Sequence, residues 1–348
     1  MAALLAEEDP TQPQRTVAQL RPAKPVLLYA KGTSVLDAAR AMAAKRADAA
    51  LVVAADGTLL GIVTDTDVSR RVVAKSLDAS TLAVTDAMTA NPKTASSSQP
   101  AMAALRTMVA NHFRHLPVVE AKGSAASGLL DLTRCLYHAI TALEKAQQSS
   151  DALGSVISQV RAEAAGGGGA VADAALDALL ASAAQMFAPT LGDVLARTGG
   201  EGDVGCATVG TNETVREAAL LMSGARRAVM VLDEEGGVAG ILTSRDVLFR
   251  VVAAGLSADT TNVTSVMTAS PDCTHPEATI LETLHTMHDN RYQHMPVTTA
   301  SGELLGVVDA LQLAYVALGG GADGSAADSF WESALQLGEG ADSETKSG

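Results

Sequence analysis

Thr64 and Asp67 stand three positions apart in GIVTDTDVSRRVV, residues 61–73, and Thr243 and Asp246 repeat the arrangement in GILTSRDVLFRVV, residues 240–252. Two chemistries use this pair of residue types at this spacing. A threonine at a helix N-cap accepts a backbone N–H, and a carboxylate three residues on reaches back to the cap's own N–H, which closes a capping box. The same carboxylate can accept both hydroxyls of a ribose, and the threonine hydroxyl can meet sugar or phosphate. A strand running into a helix start also turns unpaired N–H groups outward, where an anion is favoured, and Gly61 or Gly240 lets backbone and ligand approach closely. Cap and clamp can share the same residues.

The elements that must position these side chains are repeated. VTDAMTANP at 84–92 returns at 263–271 as VTSVMTASP, and FRHLPVV at 113–119 returns at 292–298 as YQHMPVT, all at the 179-residue offset of the opening phrase. Residues 84–118 and 263–297 share 13 identities in 35 positions, too many for composition alone, so the chain is a tandem duplication. A weaker repeat of about 66 residues, Gly61 answered by Gly128 and Gly240 by Gly306, divides each half again and gives four units. In the first, Val35, Ala38, Ala39 and Met42 share one helical face, with Thr33 or Ser34 as cap. The runs ALVVA and LLGIVT flank a hairpin signal, Asp56-Gly57, and a second helix opens at Thr64. The third unit copies this order around Gly236-Gly237. Pro117 and Pro296 predict edge or bulged strands in units two and four.

The chain organisation follows: a flexible start at 1–15, a first pair at 16–142 (units 16–76 and 82–142), an Ala/Gly-rich linker at 143–189, a second pair at 190–318 (units 190–255 and 261–318) and a disordered tail at 319–348. The Gly run at 166–169 lacks the Lys-Ser/Thr ending of a P-loop. A net charge of −14 opposes binding to nucleic acid or an anionic membrane, and no apolar run approaches the roughly 18 residues that span a bilayer. Three scattered cysteines and a start without a basic leader predict reduced thiols and a cytoplasmic address. No nucleophile elbow, HExxH or Cys/His pattern is present, so no catalytic centre and no enzyme activity are expected. His285 and His288, with His294 nearby, lack the carboxylate or thiolate that would complete a metal site, and none is expected. The Met positions 42, 108, 222 and 287 read as core.

GIVTDTD, MTANP, FRHLPVVE, GILTSRD, VMTASPDC and HMPV, in this order, resemble the CBS domain, over about residues 16–142 and 190–318. The resemblance implies an α/β fold of four β-α-β-β-α units arranged as two pseudo-twofold pairs. Longer stretches, among them LLDLTRCLYHAI, ILETLHTMHDNRYQHMPV and FWESAL, are similar to plant, algal and fungal proteins that carry two CBS pairs followed by a Phox/Bem-type domain, for which the chain as given has no room.

What the resemblance implies about ligands is specific. Asp67 and Asp246 would take ribose hydroxyls, and Thr64 and Thr243 ribose or phosphate, of an adenine nucleotide such as AMP, ADP or ATP. Arg114 and His115, and in the second half Arg291 and His294, match positions where nucleotide-binding members place basic side chains, although Gln293 replaces the second arginine. Units two and four depart from the motif: Asp131 with Arg134, and Asp309 with Gln312, can cap but offer no ribose carboxylate, so two competent clefts are expected. The nucleotide is a regulatory ligand, with no obligatory cofactor and with Mg2+ as an accompanying ion. The protein partner is an effector of unknown identity, and the pairs close as a homodimer or an intramolecular disc. The competing readings are a scaffold for dimerisation or docking with empty clefts, and an in-trans regulator of a metal transporter.

Overall fold

The computed structural model of the protein describes residues 15–120, 125–142, 145, 187–198, 206–222 and 227–319, so most of the expected linker, tail and N-terminal start lies outside the described residues. The first unit runs β1 (Val26–Tyr29), α1 (Val35–Lys45), β2 (Ala49–Val53), β3 (Leu59–Thr64) and α2, a turn of α-helix at Asp65–Asp67 that continues as a π-helical stretch, Val68–Val73. α3 (Val84–Ala87) and β4 (Thr89–Ala90) complete a sheet of order β1-β2-β3-β4, with β1 parallel to β2 and the other pairs antiparallel. The second unit is β5 (Ala95–Ser96), α4 (Ala101–Ala110), β6 (His115–Val119), β7 (Ala126–Asp131) and α5, the helix at residues 132–142.

The second half repeats the scheme. After α6 (Leu191–Thr198) come β8 (Ala207–Gly210), α7 (Val215–Leu221), β9 (Ala228–Leu232), β10 (Val238–Thr243) and α8, where Ser244–Asp246 runs into a π-helical stretch, Val247–Val252. β11 (Thr268–Ala269) closes that sheet as β11-β10-β9-β8, and the fourth unit follows as α9 (Ile280–Asn290), β12 (His294–Thr298), β13 (Leu304–Asp309) and α10 (Ala310–Gly319).

Local sequence explains these elements. Val35, Ala38, Ala39 and Met42 are buried on one face of α1, and Ser34 is its cap, accepting the Asp37 N–H at 3.1 Å. Gly57 and Gly236 turn the hairpins at φ +87° and +84°, the left-handed region in which glycine carries no Cβ penalty. Pro117 stands mid-strand, but β5 meets β6 only at Val118 and Val119, so no partner on that side calls for its missing N–H; β6 is bulged between those same residues. The 3-10 turn at Val17–Leu20 and α6, placed by the sequence with units one and three, hydrogen-bond instead to units two and four: Val17 N–H to the Gln99 carbonyl at 2.9 Å and Leu191 N–H to the Ala278 carbonyl at 2.9 Å.

Four apolar clusters tie the units together in two directions. One cluster draws on units one and three, including Met42, Val63, Val72, Met222, Leu242 and Val251, and another draws on units two and four, including Leu105, Leu136, Leu284 and Met287. Two smaller ones lie between sheets within each half, around Leu51 and Leu129 and around Met230 and Val307. The halves therefore close on each other within one chain, through shared cores rather than a thin contact.

Gly61 and Gly240 have a role different from the one expected. A Cβ on either would fall on the sulfur of Met88 or Met267, the methionine of the VTDAMT or VTSVMT segment that follows in the chain, so the missing side chain makes room for that methionine. Gly61→Ala also meets the Thr89 carbonyl at 3.0 Å. Overpacking of this kind is expected to cost about 1–3 kcal/mol, read as a lower denaturant midpoint at unchanged slope.

Candidate functional site

The capping box forms in full in both halves. Asp246 Oδ2 accepts the Thr243 N–H at 2.9 Å and the Thr243 hydroxyl at 2.6 Å, while Thr243 Oγ1 accepts the Asp246 N–H at 3.3 Å. Asp246 Oδ1 pairs with Arg250 at 3.3 Å, one helical turn on. Thr64, Asp67 and Arg71 reproduce this geometry, with 2.9, 2.8 and 3.2 Å in the box and 3.2 Å in the ion pair. The cap does not exhaust the carboxylate. An ionised carboxylate has about four acceptor positions, three of which are engaged here, and the Asp246 side chain keeps 13% of its surface. Asp131 and Asp309 cap their helices without a carboxylate at the third position, accepting the Thr133 N–H at 2.9 Å and the Gln312 N–H at 2.7 Å.

Thr243 and Asp246 line a cleft of about 440 Å³ between units three and four, within the size range of small-molecule sites. Its apolar wall carries Phe249 and Tyr292, and its cations are Arg245, Arg250 and Arg291. The Arg245 guanidinium lies 5.4 Å from the Phe249 ring centre, and Tyr292 donates its hydroxyl to Asp272 at 2.6 Å. Arg250 braces the helix against the Val266 and Met267 carbonyls at 2.9 and 2.8 Å. Flat apolar surface, a carboxylate with one acceptor position left open and guanidinium groups thus share one cavity. The first half builds the same box, but Thr66 and Arg70 occupy the places of Arg245 and Phe249, and Arg70 is turned across to the Met222 carbonyl at 2.7 Å.

Of the four residues expected to meet phosphate, the structure brings Arg291 and His294 to the cleft. Arg114 goes elsewhere. Its side chain, 13% exposed, pairs with Asp48 at 3.0 Å and Asp131 at 3.3 Å and donates to Gln293 Oε1 at 2.7 Å, so its charge is already neutralised at the centre of the molecule. His115 Nε2 lies 3.5 Å from the same Asp131 carboxylate. Burial would raise the Asp131 carboxyl, but the Arg114 charge and the His115 hydrogen bond outweigh it and hold the group well below the usual carboxylate range.

His294 is not a cation. Burial pushes its pKa down to about 4, against the pull of Asp309, and its Nε2 is buried without a partner. A folded pKa below the unfolded value near 6.5 means that the unfolded chain binds more protons between these two values. The stability of the neutral form is full above about pH 6.5 and falls as pH is lowered toward 4. The imidazole proton shifts of His294 are expected to titrate with a midpoint near 4.

Sequence reasoning missed Arg245 and Asp48. Arg245 Nε meets Asp48 Oδ1 at 3.2 Å, and Gln293 donates to Asp48 Oδ2 at 2.8 Å, so a first-half carboxylate reaches side chains that line the second-half cleft. A smaller cavity of about 20 Å³, the size of one water, sits beside them among Asp65, Arg114, Arg227 and His294. Among the described residues no cluster of three metal-ligating side chains is present, no helix is long and apolar enough to cross a membrane, and none of the three cysteines is in a disulfide.

Fold and cleft define a duplicated α/β module with a cavity that opens between paired units. The model of the CBS domain family matches residues 17–74, 84–139, 202–253 and 263–318, and the chain belongs to that family. The CBS domain-containing protein CBSCBSPB3 of Arabidopsis thaliana is 39% identical over 97% of this chain and 60% of its own length. The meiotically up-regulated gene 70 protein of Schizosaccharomyces pombe is 28% identical over 83% of this chain and 42% of its own. The chain therefore spans about three fifths or less of these relatives. The crystal structure of protein MJ1225 from Methanocaldococcus jannaschii shares the fold, with a TM-score of 0.57 at 15% identity, covering 86% of this chain and 98% of that one.

Proposed function

We propose that the protein is a non-catalytic regulatory sensor that binds an adenine nucleotide in the cleft between units three and four and passes its occupancy to a partner protein. The observation that carries this reading is the convergence of Asp246, Arg245 and Phe249 on one 440 Å³ cavity. Asp246 and Thr243 take the ribose hydroxyls, Phe249 and Tyr292 flank the base, and Arg245 and Arg291 meet phosphate. Thr64 and Asp67 offer the same sugar contacts in the first half, with weaker binding for want of a counterpart to Arg245. Arg114, His115 and the neutral His294 play no part as phosphate cations. A cytoplasmic address is part of this reading, from the scattered cysteines of the sequence.

Calorimetric titration of the whole chain with AMP, ADP and ATP, with and without Mg2+, tests the reading. AMP is expected to bind and to raise the melting temperature with concentration. Asp246→Asn, which keeps a carbonyl acceptor for the cap, is expected to weaken AMP about tenfold or more while changing stability little. No heat with any of the three nucleotides leaves a scaffold, and binding that needs Mg2+ points to the metal-linked alternative.

A further inference from the structure

The duplicated halves differ in charge where they meet. By the 179-residue offset, Asp48 answers to Arg227, Thr66 to Arg245 and Arg114 to Gln293, so the cluster around Asp48 exists once in the molecule. Asp48 holds three partners from the three other units: Arg114 at 3.0 Å and Gln293 at 2.8 Å hydrogen-bond Oδ2, and Arg245 Nε lies 3.2 Å from Oδ1 as an ion-pair contact that leaves Oδ1 without a hydrogen bond. Of these, Arg245 is the exposed one, at 35% against 13% for Arg114, and it lines the cleft. The Asp48 carbonyl accepts the Asp65 N–H at 3.0 Å, beside Thr64, and Arg245 lies beside Asp246. The Arg245 pair with Asp48 thus joins the two capping boxes by a single side-chain contact.

We propose that Asp48 is a built-in competitor for the anionic group of a ligand in the second-half cleft, and that exchange of Asp48 for that anion on Arg245 reports occupancy to the first half. This rests on the nucleotide reading above. A phosphate within reach of Arg245 adds a negative charge beside a carboxylate, and the guanidinium satisfies the newcomer at the expense of the older pair. The exchange is affordable because Asp48, nearly buried, keeps Arg114 and Gln293 and is never left without a charge partner. Loss of the third partner loosens Asp48 and the Asp65 amide that its backbone holds, next to the first-half box. By reciprocity, whatever strengthens the pair weakens the ligand by the same factor.

Calorimetry with AMP on the full chain, as a cycle of Asp48→Asn, Arg245→Gln and the double variant, tests this, with hydrogen exchange of wild-type residues 59–67 as a second reading. Asp48→Asn is expected to tighten AMP about fivefold, Arg245→Gln to weaken it about tenfold, and the double variant to match Arg245→Gln alone. AMP is expected to speed exchange at the Asp65 amide. An Asp48→Asn effect that persists undiminished without Arg245 shows only a through-space field and overturns the exchange, as does unchanged affinity in Asp48→Asn or unaltered exchange at Asp65. Binding of AMP to wild type with no coupling in the cycle sinks this inference alone, whereas absence of AMP binding sinks it together with the nucleotide reading.

Discussion

Arg114→Met is expected to destabilise the protein by about 3–5 kcal/mol and to lower Tm by about 10 °C at neutral pH, because it removes from a buried ion cluster the guanidinium that Asp131 and Asp48 share. Methionine fills much the same volume, so the loss is electrostatic rather than a cavity. Asp131 and Asp48, with side-chain exposures of 23% and 9%, would lose that guanidinium, Asp48 keeping Arg245 and Gln293 and Asp131 keeping His115. The pH dependence separates this from ordinary loss of packing. In wild type the Asp131 pKa is held down despite burial, so its contribution is complete above the unfolded value near 3.9 and is lost as pH falls through the folded value. In the variant, burial acts without that opposing charge and raises the Asp131 carboxyl, and protonation relieves the penalty. The difference in Tm between wild type and Arg114→Met is expected to shrink from pH 7 to pH 4.5, and a difference that stays constant would show that the cluster is not what the substitution breaks.

The parts of this cluster show why one layer of the site was legible in the sequence and another was not. Thr64 with Asp67 and Thr243 with Asp246 are three residues apart, and the backbone alone brings such pairs together at a strand-to-helix junction, so their spacing already states the geometry. The hairpin glycines and the apolar face of α1 are legible for the same reason. Arg114 finds Asp48 across 66 positions and Gln293 across 179, and no local pattern announces such partners. The resemblance to nucleotide-binding members implied phosphate for it, whereas tertiary contacts gave it two carboxylates. A signal was available in the duplication: positions where the halves carry different charge, Asp48 against Arg227 and Thr66 against Arg245, mark where each half faces the other rather than repeats it. Gly61 misled in the opposite sense, since close approach was right and the group that approaches is Met88.

Shared cores carry the second large prediction. Leu105 in α4 and Leu284 in α9, equivalent by the offset, are each fully buried in one cluster built from units two and four, while units one and three share another. Truncation of either to alanine removes packed methyl groups from a site with little room to collapse and is expected to cost about 2–5 kcal/mol. The cost should fall on the whole molecule, because neither half holds the two larger clusters alone: with its counterpart unfolded, each half would expose one wall of both to water. Leu105→Ala is therefore expected to give one thermal transition, shifted down, and to speed exchange of the slow amides of β9 in the other half by the same free energy as those of β2 in its own. Two transitions, or a β9 that exchanges as in wild type, would mean that the halves fold as separate bodies. A single transition also bears on the reach of the Asp48 contact with Arg245, since cores shared by the two halves form the packed network through which a change at one pair of side chains is carried.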